Sequence, residues 1–481
     1  MDVHLNINLL YILLGLSAVA YLVIHKFSNS SGNTRLPPGS LGWPIVGETL
    51  EFQRLGQCGK SDEFPVQRMN KYNREIFKTH LFGEKTITLC GATGNKFLFT
   101  GEKTYVLTWW PNSLKKLFGD SFFTTPYEEA VRTGKVVSSF LQQEVMNQLV
   151  ERFDRTCKNC LQKDWRARNQ VLAFPLIKAY AFSVACDMFA SMDDPNWQKM
   201  ILDEFNILLK GVFQFPIYFP GTRHYKAVKA AAVIRRELMK LIQSRRGLMV
   251  DLDRRVERNL ISHLMGTKNE DGELLSDKEI ADNVILLMNA GHDTSSSTMM
   301  MLMKYLAESP DCYNRVLKEQ REIASRKSPG ELLNKDDISK MKYSWGVIQE
   351  VLRMSPPVQG TFRKAKVDFT YSGFSIPKGW AVWWTTSTTH KSEEYFPNAE
   401  TFDPLRFARD NITPYSFVPF GGGPRMCPGR EFAKVEILVF LHNLVNMFKW
   451  ELVFPDDVIS VDPMPTSSKG LPVYLYSHPY L

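Results

Sequence analysis

Residues Pro419–Gly429 read PFGGGPRMCPG, a loop rich in glycine and proline that holds a single cysteine, Cys427. A helical pattern follows the loop from Arg430 to Leu438. Glycine has no Cβ, so the backbone amides of such a loop can turn toward the sulfur. A thiol at a helix N-terminus beside a cation such as Arg425 is biased toward the thiolate. We therefore expect Cys427 to be a nucleophile or a metal ligand rather than a buried structural cysteine.

The same loop matches a longer pattern, Phe-x-x-Gly-x-Arg-x-Cys-x-Gly, at Phe420, Gly423, Arg425, Cys427 and Gly429. In this it resembles the haem-ligand loop of the cytochrome P450 family. The resemblance implies that haem b is the cofactor and that the thiolate of Cys427 is the axial ligand of its iron. It also implies that Phe420, Arg425 and Gly429 belong to the cofactor-binding loop, with Phe420 packed beside the sulfur and Arg425 on a haem propionate.

The composition indicates one large folded unit without a nucleic-acid partner. The chain has 481 residues, of which 44% are hydrophobic and 12% aromatic, which is ample for a single core. The net charge of +8 is spread along the chain, and no long Lys/Arg run or nucleic-acid motif occurs. This basic balance is typical of a solvated surface, or of attraction to acidic membrane headgroups or to an acidic electron-transfer partner.

Seven cysteines are scattered along the chain and do not form the spacing of a disulfide framework. Their odd number fits a reducing compartment. Cys157 and Cys160 form a lone CxxC, and metal or redox chemistry would require a second pair or a βαβ context. We therefore interpret them as two neighbouring cysteines of a helix.

An apolar run from Asn8 to Ile24 approaches the ~20 residues that a membrane-spanning helix needs. No clear cleavage site follows it, and His25 and Lys26 place positive charge on its C-terminal side. Positive residues favour the cytosolic side of a membrane, so we expect the catalytic domain, which follows the run, to lie in the cytosol. We expect an uncleaved single-pass anchor in the endoplasmic reticulum membrane, in contact with membrane lipid. A buried core helix is the alternative.

The chain divides into three parts on this basis: a membrane anchor at 1–26, a linker with a Pro-rich hinge at 27–39, and a catalytic domain at 40–481. The hinge contains Pro37 and Pro38, whose rings fix φ and stiffen the chain. Such a hinge is expected either to set the angle of the catalytic domain to the membrane or to act only as a linker.

The longest helical pattern runs from Ile280 to Ser309, and at its middle the sequence reads Ala-Gly-His-Asp-Thr at 290–294. Gly291 removes side-chain bulk from the helix, which lets a flat cofactor approach the backbone or lets the helix deform. The hydroxyl of Thr294 can bond to a carbonyl one turn back. A simple helix–helix contact is the alternative for an isolated motif. The segment resembles the oxygen-activating segment of the P450 family, which implies that Asp293 and Thr294 deliver protons to the oxygen being activated.

Glu350 and Arg353 stand three residues apart, a pair that is very common on helices and says nothing by itself. The P450 family has the same Glu-x-x-Arg before its cysteine loop, and the resemblance adds Arg406 as the third member of a buried structural network. It further implies that Arg363 holds a haem propionate and that Pro357–Phe362 lines the substrate pocket.

Short β-like runs with turn glycines occur between about 40 and 105, and again from Val367 to His390. Helical periodicity dominates from about 112 to 265, and Tyr474–Tyr476 is expected to add a last strand. The predicted fold class is mainly α with small β-sheets (α+β), a cytochrome P450 fold preceded by one N-terminal transmembrane helix.

Several segments resemble the plant triterpene-oxidising subgroup more closely than the family at large, among them Gly42–Thr49, Gly91–Phe99 and Glu436–Phe440. The resemblance implies a haem-thiolate monooxygenase that uses O2 and electrons from NADPH-cytochrome P450 reductase. Its expected substrate is a hydrophobic pentacyclic triterpene of the β-amyrin type, oxidised at C-28. Hydroxylation of a ring carbon such as C-6, C-2, C-12 or C-16 is the alternative.

One position departs from the subgroup: Gly134 stands where an arginine that reaches a haem propionate is expected. Arg132 and Lys135 are the neighbouring cations, and we assign Arg132 to cofactor binding in its place. Gly134 also favours a rival of another class, a membrane-tethered binding or scaffold paralogue that has lost catalysis. A further rival keeps the haem but isomerises or dehydrates a peroxide; such relatives tend to lack the acid–threonine pair, so Asp293 and Thr294 argue against it.

Overall fold

The computed structural model of the chain describes residues 14–17, 19, 35–125, 127–140, 143–212, 214, 217–251, 259–268, 272–409 and 411–478. Of the anchor predicted at 1–26, only 14–17 and 19 are among these residues, and of the linker only 35–39. The other residues of both segments lie outside the described part of the chain. Within them, Ala173–Ala190 has the length and hydropathy to cross a membrane, but 67% of it is buried inside the protein. We assign that stretch to the protein core.

Helices make up most of the described chain, which confirms the mainly α architecture. Two π-helical turns extend helices at Leu161–Trp165 and Cys186–Ala190. In chain order the helices are α1 Thr49–Gln57, α2 Glu63–Lys71, α3 Gly91–Thr100, α4 Asn112–Phe118, α5 Tyr127–Phe140, α6 Gln143–Cys160, α7 Ala173–Ala185, α8 Pro195–Leu209, α9 Arg223–Asp251, α10 Leu260–Met265, α11 Asp277–Glu308, α12 Pro310–Ala324, α13 Lys335–Lys340, α14 Lys342–Met354 and α15 Arg430–Met447.

Helix α11 is 32 residues long and starts three residues before the predicted helix. Its start is fixed by a capping box, because the hydroxyl of Ser276 accepts from the amide of Glu279 at 3.2 Å and the Glu279 carboxylate accepts from the amide of Ser276 at 2.8 Å. Both residues satisfy helix-end groups that would otherwise lack partners. At about 1.5 Å per residue the helix is long enough to cross the domain.

The strands form small sheets, as expected, with one pairing that the sequence did not suggest. Strand β4, a three-residue interruption of the predicted helical region, pairs with β12 near the C-terminus. The strands are β1 Ile76–Leu81, β2 Glu84–Leu89, β3 Val106–Thr108, β4 Gln170–Leu172, β5 Gly360–Ala365, β6 Phe369–Tyr371, β7 Phe374–Ile376, β8 Ala381–Thr385, β9 Phe448–Leu452, β10 Ile459–Val461, β11 Pro465–Ser467 and β12 Pro472–Ser477.

The largest sheet has the strand order β1-β2-β8-β5-β3, with β2 and β8 parallel and the other neighbours antiparallel. A second sheet has the order β4-β12-β9, and two hairpins, β6–β7 and β10–β11, complete the strands. The main core lies among the helices and contains buried residues of α6, α7, α11, α14 and α15. A second core fills the space between the large sheet and α3. The cysteine loop lies where these two parts meet, because it leads directly into α15 and packs against α3.

Candidate active site

The glycines of the cysteine loop are required by its packing as well as by its turns. Gly421 and Gly423 have φ of +69° and +67°, in the left-handed region that side chains disfavour. A Cβ at Gly423 would lie 2.3 Å from the carbonyl oxygen of Phe99, and one at Gly422 would lie 2.5 Å from the Phe99 ring. The loop can therefore approach α3 this closely only because these positions carry no side chain.

The loop closes on itself beside the sulfur. The amide of Cys427 donates to the carbonyl of Phe420 at 3.0 Å, and Phe420 is half-buried against the main core. Gly429 is the residue before α15, and its carbonyl accepts the amide of Ala433 at 2.9 Å. Cys427 itself keeps an exposed surface. The thiol is thus held in a fixed loop with one side open to a ligand.

The expected bias of Cys427 toward the thiolate is wrong for the protein by itself. Although one side of Cys427 is open, the protein atoms packed around its sulfur desolvate the thiolate, and this largest effect raises the pKa of the thiol above its ordinary value. The amide of Gly429 and the charge of Arg430 oppose this rise without cancelling it. A bound metal ion deprotonates a coordinating thiol outright, so ligation rather than the helix end decides the charge of this sulfur.

The middle of α11 has one accessible face inside an otherwise buried helix. Ala290 is exposed and Thr294, one turn further, is half-buried, whereas Met288 and His292 are buried. The hydroxyl of Thr294 donates to the carbonyl of Ala290 at 2.6 Å. This bond confirms the prediction for Thr294. We call the accessible turn from Ala290 to Thr294 the notch of α11.

Asp293 points away from this notch, into a buried ion pair. Its Oδ1 lies 2.8 Å from Nζ of Lys178 on α7, and the carboxylate is 1% exposed. Lys178 also donates to Oδ1 of Asn206 on α8 at 2.8 Å. No sequence pattern indicated Lys178 as a partner, because Lys178 stands more than a hundred residues before Asp293.

His292 packs on the other side of the same carboxylate. Burial lowers the pKa of His292, so the ring is neutral, and its Nδ1 donates to the carbonyl of Met288 at 2.7 Å. Its Nε2 lies 3.5 Å from Oδ2 of Asp293. The rings of Phe182 and Phe205 stand edge-on to the imidazole at 5.0 and 5.4 Å. These contacts hold the His-Asp part of the motif in an apolar enclosure.

The notch of α11 and the cysteine loop lie on helices that share aromatic packing. A Cβ at Gly291 would lie 3.3 Å from the ring of Phe189, and that ring stacks on Phe432 of α15 at 5.9 Å. Phe432 stands five residues after Cys427. The structure therefore brings the two sequence motifs to the same region of the molecule.

The residues predicted to grip the haem propionates also converge. Nε of Arg363 on β5 lies 2.8 Å from Oε2 of Glu102, and Nε of Arg425 lies 3.8 Å from Oε1 of the same carboxylate. All three side chains are largely buried. A haem-thiolate cofactor requires a thiolate for its iron, cations for its propionates and open space beside a helix. Cys427, the two arginines and the notch of α11 supply these, so the residues present fit haem. Sequence reasoning missed Glu102, which belongs to no motif.

Helix α5 contains Gly134, the position at which the triterpene-oxidising subgroup is expected to have an arginine. Arg132 is half-buried and has one guanidinium nitrogen shielded from solvent, whereas Lys135 is exposed. Of the two neighbouring cations, Arg132 is therefore the one directed into the protein. A Cβ at Gly134 would meet no atom within 4 Å, so the space beside this glycine is open.

The Glu-x-x-Arg pair lies in a buried network behind the cysteine loop. Glu350 and Arg353 are joined by two contacts of 2.8 Å, and Nε of Arg406 lies 3.4 Å from the Glu350 carboxylate. Arg353 also donates to the carbonyl of His390 at 2.7 Å. Burial lowers the pKa of His390 to about 3, and its neutral Nε2 accepts the amide of Val418 at 3.0 Å. Since Val418 directly precedes the loop, the network holds the backbone at the point where the chain enters the cysteine loop.

A buried acid that the sequence did not single out lies on α15. Burial raises the pKa of Glu436 to about 8, and only the nearby hydroxyl of Ser295 opposes the rise. Ser295 follows Thr294 on α11. A neutral carboxylic acid thus packs between the two helices that carry the motifs.

The loop after α4 is tied to α11 by side-chain contacts. The amides of Asp120 and Phe122 donate to the side chains of Asp282 and Asn283 at 3.0 and 2.9 Å. Nε of Arg235 on α9 donates to the same Asp282 carboxylate at 2.5 Å. This holds the loop after α4 against α11, where Trp110 stacks on Phe123 at 4.2 Å. In the predicted wall at 357–362, Val358 is 40% exposed.

Comparison with known proteins agrees with this geometry. A family model described as Cytochrome P450 matches residues 37–474. A Vitis vinifera protein named beta-amyrin 28-monooxygenase is 45% identical over 478 residues, which cover 99% of this chain and 100% of that protein. A Medicago truncatula protein of the same name is 44% identical over 98% of this chain and 99% of its own length. The solved structure of retinoic acid bound cyanobacterial CYP120A1 matches with a TM-score of 0.84 and 32% identity, covering 93% of this chain and 100% of that chain.

Proposed function

The chain belongs to the cytochrome P450 family, and we propose that this haem-thiolate monooxygenase oxidises a pentacyclic triterpene of the β-amyrin type at its C-28 methyl group. The observation that carries the substrate assignment is the similarity to relatives named beta-amyrin 28-monooxygenase, at 45% and 44% identity over almost the entire chain. The match covers almost the entire chain, including the predicted wall at 357–362, so it is not confined to the cofactor loop.

The haem, once bound through the thiolate of Cys427, supplies the activation of O2 and the oxidation of an unactivated C–H bond. The protein supplies the fixed loop around that sulfur and the arginines for the propionates. It also supplies apolar walls that orient one face of the substrate. Such walls suit a triterpene because nearly all of its surface is hydrocarbon.

Proton delivery is assigned to Asp293 and Thr294. The hydroxyl of Thr294 holds its proton toward the Ala290 carbonyl and lies on the accessible face of α11. The carboxylate of Asp293 lies on the buried side, in contact with Lys178 at 2.8 Å. For Asp293 to pass a proton to the accessible face, its side chain must leave Lys178. The ion pair therefore keeps the acid apart from the reacting site until that rotation occurs.

An exposed apolar surface supports the proposed location on the endoplasmic reticulum membrane. Trp43, Ile45 and Leu50 are 79%, 64% and 61% exposed near α1, and the segment 217–219 exposes three further apolar side chains. The carboxylate of Asp462 joins the two regions, since it contacts Gln57 at the end of α1 and Arg223 at the start of α9. Exposed aromatic and aliphatic residues are favoured at a membrane interface. A triterpene could then pass from the bilayer to the pocket without crossing water.

The substrate proposal is tested by co-expressing the full chain with NADPH-cytochrome P450 reductase in yeast that produces β-amyrin. We expect products oxidised at C-28, identified by mass spectrometry and NMR. A ring-carbon alcohol as the sole product would overturn the C-28 assignment. No product from a protein with a normal reduced carbon monoxide difference spectrum would overturn the substrate class. Turnover without the reductase would contradict the dependence on that partner.

The matched control is Cys427→Ala, which should abolish both the thiolate-type band of the carbon monoxide difference spectrum and all products. A wild-type protein without that band would favour the paralogue that has lost catalysis. Membrane orientation is tested separately with protease added to intact microsomes. The catalytic domain should be degraded; its protection would place it in the lumen and contradict the cytosolic assignment.

A further inference from the structure

We propose that Glu102 is a positioning residue for the haem propionates, because it holds the guanidinium groups of Arg363 and Arg425 in one place. The two arginines are far apart in sequence, and the resemblance to the P450 family implies that both bind the same cofactor. The proposal rests on the haem site described above and does not depend on which substrate the enzyme oxidises.

The contacts identify Glu102 as the shared partner. Its Oε2 accepts from Nε of Arg363 at 2.8 Å, while its Oε1 accepts from the hydroxyl of Thr108 at 2.7 Å and lies 3.8 Å from Nε of Arg425. The Glu102 side chain is 1% exposed. Both carboxylate oxygens are thus engaged, and the hydroxyl of Thr108 fixes the carboxylate orientation.

The surrounding packing makes these residues one rigid unit with the cysteine loop. Glu102 lies two residues after the end of α3, whose Phe99 packs against the loop glycines. The ring of Trp384 stands edge-on to Phe99 at 5.0 Å, and its Nε1 donates to the hydroxyl of Thr361. That hydroxyl also accepts from Nη1 of Arg363 at 2.9 Å. A shift of Glu102 would therefore move the propionate-binding groups relative to Cys427.

Charge balance explains why a carboxylate occupies this position. Two buried guanidinium groups repel one another and lose hydration, and an acid between them offsets both effects. The binding of haem adds two propionate carboxylates to the same arginines. In Arg363, Glu102 accepts from Nε while Nη1 donates to the Thr361 hydroxyl and to the Phe362 carbonyl, so Nη2 is the nitrogen that we assign to the cofactor. Glu102 thereby orders the arginines before haem arrives.

The test compares Glu102→Gln with Glu84→Gln. Gln keeps the shape of the side chain and removes its charge. Glu84 is the matched control because it pairs with Lys364, the residue after Arg363 on β5, at 3.4 Å and in a more exposed setting. The measurements are the rate of haem transfer to excess apomyoglobin and the ferric/ferrous reduction potential of the full-length holoprotein. Neither measurement requires turnover.

We expect Glu102→Gln to lose haem roughly tenfold faster, the fold-change equivalent to one charge-assisted contact of about 1.4 kcal/mol. The reduction potential should rise, since the loss of a nearby negative charge favours the more negative ferrous state. Glu84→Gln should change the rate by less than twofold and leave the potential unaltered. Unchanged or slower haem loss in Glu102→Gln would overturn the proposal, and so would faster loss with an unaltered potential or an equal effect in the control.

Thr108→Val provides a second variant in case Glu102→Gln does not yield holoprotein. It removes the hydroxyl that orients Glu102 and leaves every charge in place. We expect haem loss a few-fold faster than in the wild type, with no shift of the potential. A rate equal to that of the wild type would contradict the positioning role.

Discussion

Arg353→Met should be among the most destabilising single substitutions in this enzyme. Arg353 and Glu350 are both fully buried and share two contacts of 2.8 Å. In the variant, the Glu350 carboxylate loses both contacts with Arg353. It keeps the amide of Asp403 at 2.9 Å and Arg406, whose Nε lies 3.4 Å away. Breaking a buried ion pair by removing one partner costs about 3–5 kcal/mol. A loss of about 4 kcal/mol lowers the folded-to-unfolded ratio by roughly a thousandfold.

The assay is chemical unfolding of the holoprotein, followed by tryptophan fluorescence and by the thiolate-type carbon monoxide band. The two signals should change together, because Arg353 supports the entry to the cysteine loop through the His390 carbonyl. Arg409→Met is the matched control: Arg409 forms a 2.9 Å pair with Asp403 but is 67% exposed. Exposed pairs of this kind contribute about 0–1 kcal/mol.

A cost below about 1 kcal/mol for Arg353→Met, or one equal to that of Arg409→Met, would refute this reasoning about burial. The double substitution Glu350→Met with Arg353→Met sharpens the test. If the charges are coupled, the double variant should lose at least about 2 kcal/mol less than the sum of the two single variants. Additive costs would mean that the pair contributes packing but no coupling.

Other features give predictions that are independent of this network. Gly134→Ala should stabilise the protein toward chemical unfolding by about 1 kcal/mol, since helix α5 gains a better helix former and the new Cβ meets no atom within 4 Å. A variant less stable than the wild type would contradict the conclusion that the space beside Gly134 is open. The contribution of Glu436 to wild-type stability should decline as pH rises from about 5 to about 8, because folded Glu436, with a pKa of about 8, retains a proton that the unfolded chain releases near the ordinary value of 4.5. Glu436→Gln should flatten that decline in pH-dependent unfolding, and an equal slope would exclude Glu436 as its source. Lys178→Met should release the Asp293 side chain from its ion pair and so lower the peroxide released per NADPH consumed several-fold, because the acid can then rotate to the accessible face of α11. An unchanged or higher ratio of peroxide to NADPH would contradict the restraining role of Lys178.

Much of the site could be predicted from short patterns, because its chemistry constrains nearby positions. A thiolate ligand requires a tight loop, and the spacing of Phe420, Arg425 and Cys427 reflects that requirement. The same holds for Thr294, whose bond to the Ala290 carbonyl lies within one helical turn. Strand β4 escaped prediction because three residues are too few for a periodicity, and its pairing with β12 is fixed by tertiary contacts.

The amino-acid sequence alone predicted the mainly α fold class, the cysteine of the haem-ligand loop and the Thr294 bond within α11. Only the tertiary structure showed Lys178 against Asp293, Glu102 between Arg363 and Arg425, and the dominance of burial over the helix end at the Cys427 thiol. Local patterns record interactions within a turn or a loop, where neighbours in sequence are neighbours in space. The partners of buried charges, and the solvation that sets a pKa, depend on which distant segments the fold packs together.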